Sequence, residues 1–84
     1  MGKYRKLYET ILSGRSDASI GFEDLRSLLL HLGFEERIRG SHHLFVKEGV
    51  VRLLNLQRAG AQAKRYQVKQ VREALVESGL EATE

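Results

Sequence analysis

The chain has 84 residues, no cysteine and a formal net charge of +3. This length supports one domain, residues 1–84, with a small core, and the missing thiols exclude disulfides and thiolate metal sites. The charged first residues argue against a signal peptide, and the short apolar runs argue against a membrane span. We therefore expect a cytoplasmic protein.

The charge is unevenly distributed. Residues 37–72 contain nine lysines and arginines and one acid, a net charge of +8. Residues 1–36 have a net charge of −1, and residues 73–84 contain four glutamates and no base. A separate basic zone is typical of nucleic-acid-binding surfaces, although a merely solvated face has the same composition.

The first half of the chain predicts two amphipathic helices. Residues 3–13 place apolar side chains at helical spacing and end at Gly14. Residues 15–21 form a polar connection. Residues 22–32 carry four leucines on one helical face and end at Gly33, which predicts the second helix.

The second half predicts three short strands and a last helix. The predicted ranges are 34–39, 42–47 and 50–56 for the strands, 57–63 for a loop and 64–78 for the helix. Glu48-Gly49 is a hairpin turn signal, and two-residue connections predict an antiparallel meander. The predicted fold class is α+β, with helices covering one face of a three-stranded antiparallel sheet.

The segment Gly40-Ser41-His42-His43 predicts a tight turn that opens the second strand. Histidine has an unperturbed pKa of about 6.5 and exchanges protons near neutral pH. RNA supplies its own nucleophile, the 2′-hydroxyl, so a placed acid or base and nearby cations suffice for slow cleavage. We predict no metal and no cofactor, because adjacent histidines without a third ligand make a poor metal site.

Strand alternation sends the two histidines to opposite faces of the sheet. If Leu44 and Val46 face the helices, His42 points inward; if Phe45 is the core residue, His42 lies on the open face. The sequence leaves both arrangements open. A purely structural alternative packs one ring at the sheet edge and leaves the other in water.

One pattern resembles the HicA toxins over residues 22–80. It consists of Leu25-x-x-Leu28-Leu29-x-x-Leu32-Gly33-Phe34, then Arg39-Gly40-Ser41-His42-His43, and a last helix that ends in Gly79-Leu80. The resemblance implies a fold like the double-stranded-RNA-binding domain, messenger-RNA interferase activity and inhibition by a HicB antitoxin. It also implies that His42 is the catalytic residue, or His43 where relatives place it one step later.

Two departures from the family pattern are present. Family members often carry Pro-x-His at the end of the third strand, where this chain has Leu54-Asn55-Leu56-Gln57. This chain also has an extra N-terminal helix and connection, residues 1–21, before the core of residues 22–80.

The leading hypothesis is a metal-independent endoribonuclease toxin of a type II toxin–antitoxin system, with His42 preferred over His43 as general acid or base. The expected partners are messenger RNA and a HicB-like antitoxin. The predicted RNA-binding residues are Arg37, Arg39, Gly40, Ser41, Lys47, Arg52, Arg58, Lys64, Arg65 and Lys69.

Two other hypotheses belong to different classes. The runner-up is a catalytically inactive RNA-binding domain of the same fold, favoured by the missing Pro-x-His element. A DNA-binding helix-turn-helix is disfavoured because the connection of residues 15–21 is longer than the usual turn. It also lacks a basic recognition helix, since residues 22–32 contain only Arg26 as a base.

Overall fold

The structure, a computed structural model, describes residues 2–82. Its elements are α1 (Lys3–Ser13), a 3₁₀ turn (Asp17–Ser19), α2 (Phe22–His31), β1 (Glu35–Arg39), β2 (His42–Val46), β3 (Leu54–Leu56), β4 (Arg58–Ala59), β5 (Gln62–Ala63) and α3 (Arg65–Ser78). The α+β class and the three predicted helices are confirmed. Glu84, the last glutamate of the acidic end, lies outside the described residues. Within residues 2–82, no helix is long and apolar enough to cross a membrane.

The main sheet has the antiparallel order β1-β2-β3, with β2 in the centre. The predicted two-residue turn, Gly40-Ser41, joins β1 to β2, and Gly40 has a φ of +60°, which favours glycine. In this register Phe45 lies between Glu36 of β1 and Leu54 of β3, so the three side chains share one face.

The helices bury that face of the sheet. Phe45, Leu54 and Leu56 are buried in one cluster with apolar side chains from all three α-helices. Because Phe45 is the core residue, alternation places His43 on the covered face and His42 on the open face. The structure thereby selects one of the two arrangements that the sequence allowed.

The prediction of a strand over residues 50–56 was wrong for its first half. Pairing with β2 begins at Leu54, and a seven-residue connection, 47–53, replaces the predicted two-residue hairpin. Arg52 bonds to Glu77 of α3 at 2.8 Å, which draws the connection toward the helix, and Val51 is fully exposed. Residues 50–53 therefore cannot continue the β2 ladder.

The prediction of a loop over residues 57–63 was also wrong. This segment is the β4-β5 hairpin, which has Gly60 at a φ of +66° in its turn. The hairpin bonds to the entry of α2 through the Phe22 amide to Ala61 oxygen (3.0 Å) and the Ala63 amide to Ile20 oxygen (3.0 Å). These bonds hold the hairpin against the first turn of α2.

The N-terminal helix α1 is part of the core. Ile11 has no exposed surface, and Arg72 of α3 donates to the Ile11 carbonyl oxygen at 3.1 Å. Arg72 also donates to both carboxylate oxygens of Asp17, at 2.9 and 3.1 Å. In the middle of α1, the Tyr8 hydroxyl donates to the Leu80 carbonyl oxygen at 2.8 Å.

We predict that Ile11→Ala lowers the free energy of unfolding by about 2–5 kcal/mol, because it removes a fully buried side chain. Leu12→Ala is the matched control at the next position, where the side chain is 36% exposed. We expect it to cost less than about 1 kcal/mol. Urea denaturation measures both, and equal effects would show that α1 does not pack on the core.

Candidate active site

A cleft of about 340 Å³ opens where the β1–β2 turn meets the approach to α3. Its lining residues are Gly40, Ser41, His43, Gln57, Arg58 and Lys64. The cleft thus brings together an imidazole, two cationic side chains and a glycine turn with exposed backbone. Such a group of donors suits a phosphate ligand.

His43 is oriented by a carboxylate. Its Nδ1 lies 2.8 Å from Oε2 of Glu36, and its ring packs edge-on against Phe22 with the centroids 4.9 Å apart. An ionised carboxylate can only accept a hydrogen bond, so Nδ1 carries the proton in the neutral ring. The lone pair is then on Nε2, and the His43 side chain, which is 15% exposed, lines the cleft.

Glu36 is an ionised acid in a largely buried position. Its side chain is 9% exposed, and Nε of Arg26 donates to Oε2 at 2.7 Å. The hydrogen bond from Arg26 lowers the pKa of Glu36 against the opposing effect of burial, and the bond from His43 lowers it further. The carboxylate therefore stays charged at neutral pH and holds the imidazole in one tautomer.

The first turns of α2 connect this acid to the cations of the cleft. Glu23 accepts hydrogen bonds from Arg26 (3.3 Å) and from Arg58. The Arg58 guanidinium also lies over the Phe22 ring, 4.7 Å from its centroid. Phe22 therefore contacts both Arg58 and His43, and so fixes a cation and the imidazole on the same side of the cleft.

His42 lies in solvent on the open face of the sheet, directly across the β1–β2 ladder from Arg39. Its Nδ1 lies 3.1 Å from the Asn55 side-chain oxygen, and its Nε2 lies 3.4 Å from the side-chain nitrogen of Gln57. The Gln57 oxygen accepts a hydrogen bond from Lys64 at 3.2 Å. Gln57 thus links His42 to the edge of the cleft.

The structure brings together some of the sequence-predicted RNA-binding residues. Gly40, Ser41, Arg58 and Lys64 line the cleft with His43. Arg37 and Arg39 lie on the open face, where Arg37 pairs with Glu35 at 3.0 Å. Arg65 and Lys69 are exposed on α3.

The other two predicted residues lie elsewhere. Arg52 forms ion pairs with Glu77 (2.8 Å) and Glu73 (3.5 Å) on the far part of α3, and its pKa is raised mainly by the bond to Glu77. Lys47 follows β2 and places its ammonium beside Gly33. Neither lines the cleft.

Sequence reasoning missed the residues that orient the site, namely Phe22, Glu23, Arg26 and Glu36. One signal was present for Glu36, because the alternation of residues 34–39 places it on the same face as Phe34 and Ile38. An acid on the inward face of a strand requires a partner. No local pattern identifies Arg26 as that partner, since it lies ten residues away on α2.

We predict that Glu36→Gln lowers the free energy of unfolding at pH 7 by about 1–3 kcal/mol, since two hydrogen bonds to a charged oxygen are removed. The folded-state pKa of Glu36 is lowered, so its stabilising effect is present above the unfolded value of about 4.3 and disappears as the pH falls through the folded value. The difference between wild type and variant should therefore shrink as the pH falls below about 4.3.

The control for this pH series is Glu35→Gln. Glu35 is the next residue along β1, but its side chain is 67% exposed on the opposite face. We expect a change within about 0.5 kcal/mol at every pH. Urea denaturation across the pH range gives the comparison, and a pH-independent loss in Glu36→Gln would contradict the ionised role of Glu36.

No protein-family model, curated protein or solved structure matches the chain. Within residues 2–82, no group of three or more histidine, aspartate or glutamate side chains is placed to hold a metal ion. The chemistry of the cleft therefore has to be argued from its own geometry, above all from the hydrogen bond between His43 and Glu36.

Proposed function

We propose that the protein is a HicA-like toxin of a type II toxin–antitoxin system that cleaves messenger RNA without a metal. The observation that supports this most directly is the carboxylate-oriented imidazole of His43 in a cleft lined by Arg58 and Lys64. Apart from the inserted β4-β5 hairpin, the order α2-β1-β2-β3-α3 and the single covered face of the sheet support a double-stranded-RNA-binding-domain-like fold. The partner in this proposal is a HicB-like antitoxin in the cytoplasm.

In the proposed reaction, the ribose 2′-oxygen attacks the adjacent phosphorus and the bond to the 5′-oxygen breaks. Nε2 of His43 accepts the 2′-hydroxyl proton, and Lys64 protonates the departing 5′-oxygen. Arg58 and the backbone amides of the Gly40-Ser41 turn stabilise the charge that develops on the phosphoryl oxygens. The products are a 2′,3′-cyclic phosphate and a 5′-hydroxyl, and this step consumes no water.

His42 is the residue that the HicA resemblance favours, and its ring is exposed opposite Arg39. Its partners are the amide side chains of Asn55 and Gln57, which fix the ring but do not stabilise an imidazolium as a carboxylate does. We therefore assign proton transfer to His43 and an RNA contact on the open face to His42.

A catalytically inactive RNA-binding domain is the second candidate. The observation that favours it is the end of β3, where the chain has Leu54-Asn55-Leu56-Gln57 in place of the family's Pro-x-His element. Gln57 has no titratable group, so a mechanism that needs a second histidine there would fail. The cations and the glycine turn of the cleft would still bind the phosphate backbone.

We predict that the purified wild type cleaves single-stranded RNA in the presence of EDTA, and that His43→Asn lowers the rate by about 10²–10⁴-fold. Asparagine keeps a donor for Glu36 but provides no base. His42→Asn should lower the rate much less. His31→Asn is the control, because His31 is exposed on α2 and stacks on Tyr4, 4.2 Å between ring centroids.

Cleavage is measured by gel electrophoresis of a labelled RNA, and the 2′,3′-cyclic ends by mass spectrometry. A large loss in His42→Asn alone would reassign the acid–base role to His42. If the wild type binds RNA but leaves it intact, the inactive RNA-binding domain becomes the better account. Growth arrest on expression of the wild type, relieved by the substitution that abolishes RNA cleavage, would support the toxin role.

A further inference from the structure

A second hollow, of about 260 Å³, lies between the segment after α1 and the start of α3. Its lining residues are Gly14, Arg15, Asp17, Ala18 and Arg65. The HicA resemblance covers residues 22–80, so most of this hollow is built by the extra N-terminal segment.

The hollow has an excess of positive charge. Arg15 and Arg65 are both exposed, and neither side chain forms an ion pair with any acid in the part of the chain that the structure describes. The only acid of the lining, Asp17, has both oxygens bonded to Arg72, at 2.9 and 3.1 Å. Two guanidinium groups at one hollow repel each other, and a bound anion removes that repulsion.

The backbone holds Arg15 in place against α3. Gly14 ends α1 with a φ of +72°, and a Cβ at this position would lie 3.4 Å from the Arg72 guanidinium. Arg72 in turn donates to the Ile11 carbonyl oxygen in the last turn of α1. Arg15 therefore projects from a close contact between the two helices and not from a long unsupported loop.

The hollow and the cleft adjoin each other at the start of α3. Lys64 lines the cleft, and the next residue, Arg65, lines the hollow. The cleft and the hollow therefore meet at the start of α3, and a polynucleotide with one phosphate at Lys64 can continue for several nucleotides into the hollow beside Arg65. A free anion or a small metabolite would contact the cleft or the hollow, but not both.

We propose that Arg15 and Arg65 form a second phosphate-binding subsite, which holds the RNA strand a few nucleotides away from the bond placed in the cleft. This inference rests on the proposed function, and it gives the N-terminal helix a role in substrate binding. Arginine suits the subsite because its planar donors bind phosphate oxygens in pairs. An acidic protein is the competing ligand that the experiment must exclude.

The first arm of the test uses inorganic pyrophosphate and no RNA. Two-dimensional NMR should show saturable shifts of the amides of Arg15, Ala18 and Arg65 in the wild type. The double variant Arg15→Gln/Arg65→Gln should abolish these shifts. The control, Lys3→Gln/Arg5→Gln, removes the same charge from the exposed side of α1 and should keep them.

The second arm measures RNA affinity on a His43→Asn background, so that cleavage does not interfere. For an oligonucleotide of about ten nucleotides, the double variant should bind about tenfold more weakly. Its slope of log affinity against log salt should fall by about 0.7 for every phosphate that the variant no longer neutralises. For a trinucleotide, which reaches only the cleft, affinity should be unchanged.

The outcomes separate this inference from the proposed function. Equal affinity of the double variant and its control for the long RNA would overturn the subsite, even if the cleft binds and cleaves RNA. Pyrophosphate shifts without any RNA binding would contradict both the polynucleotide subsite and the proposed function, and would favour an acidic protein as ligand. If the wild type does not cleave RNA but the double variant still binds only the long RNA more weakly, the nuclease assignment alone is contradicted.

Discussion

The structure depends on one largely buried charge, the carboxylate of Glu36. An ionised carboxylate removed from water costs several kcal/mol unless hydrogen bonds replace its solvation. Arg26 and His43 both donate to the same oxygen, so the covered face of the sheet tolerates the charge. A one-residue slip of β1 would turn Glu36 to the open face and bring Glu35, Arg37 and Arg39 onto the covered face. The same carboxylate therefore specifies the strand register and orients the imidazole.

The cleft is assembled by contacts between three separate parts of the chain. The first turns of α2 supply Phe22, Glu23 and Arg26, the β1–β2 hairpin supplies the imidazole and its acid, and the β4-β5 hairpin supplies Arg58. Backbone bonds between the β4-β5 hairpin and the entry of α2 set the position of Arg58 before any side chain is considered. Strands thus position His43 and Arg58, and the other lining residues lie in the turns and junctions beside them.

Helical periodicity and glycine stops were sufficient to predict the three helices, and alternation predicted β1 and its turn. The third strand could not be delimited, because residues 50–54 are apolar except for Arg52 and show no alternation, and Arg52 binds Glu77, twenty-five residues away. The β4-β5 strands are two residues long, too short for any periodicity. The faces of the two histidines depended on which β2 residue is buried, and only the packing of Phe45 decides that.

The basic character of residues 37–72 is divided by ion pairing into structural and available cations. Arg52 and Arg72 are bonded to acids outside the cleft, so they stabilise the fold and offer little charge to a ligand, whereas Arg58 is paired with Glu23 but lines the cleft. Lys64, Arg65 and Lys69 form no ion pair with residues 2–82, and all three lie in the first turns of α3 or just before it. Net charge alone would predict that all the bases of residues 37–72 are equally able to bind a ligand. Among the described residues, pairing leaves Arg39 and Lys47 near the sheet and three bases at the start of α3, where the cleft and the arginine-lined hollow adjoin.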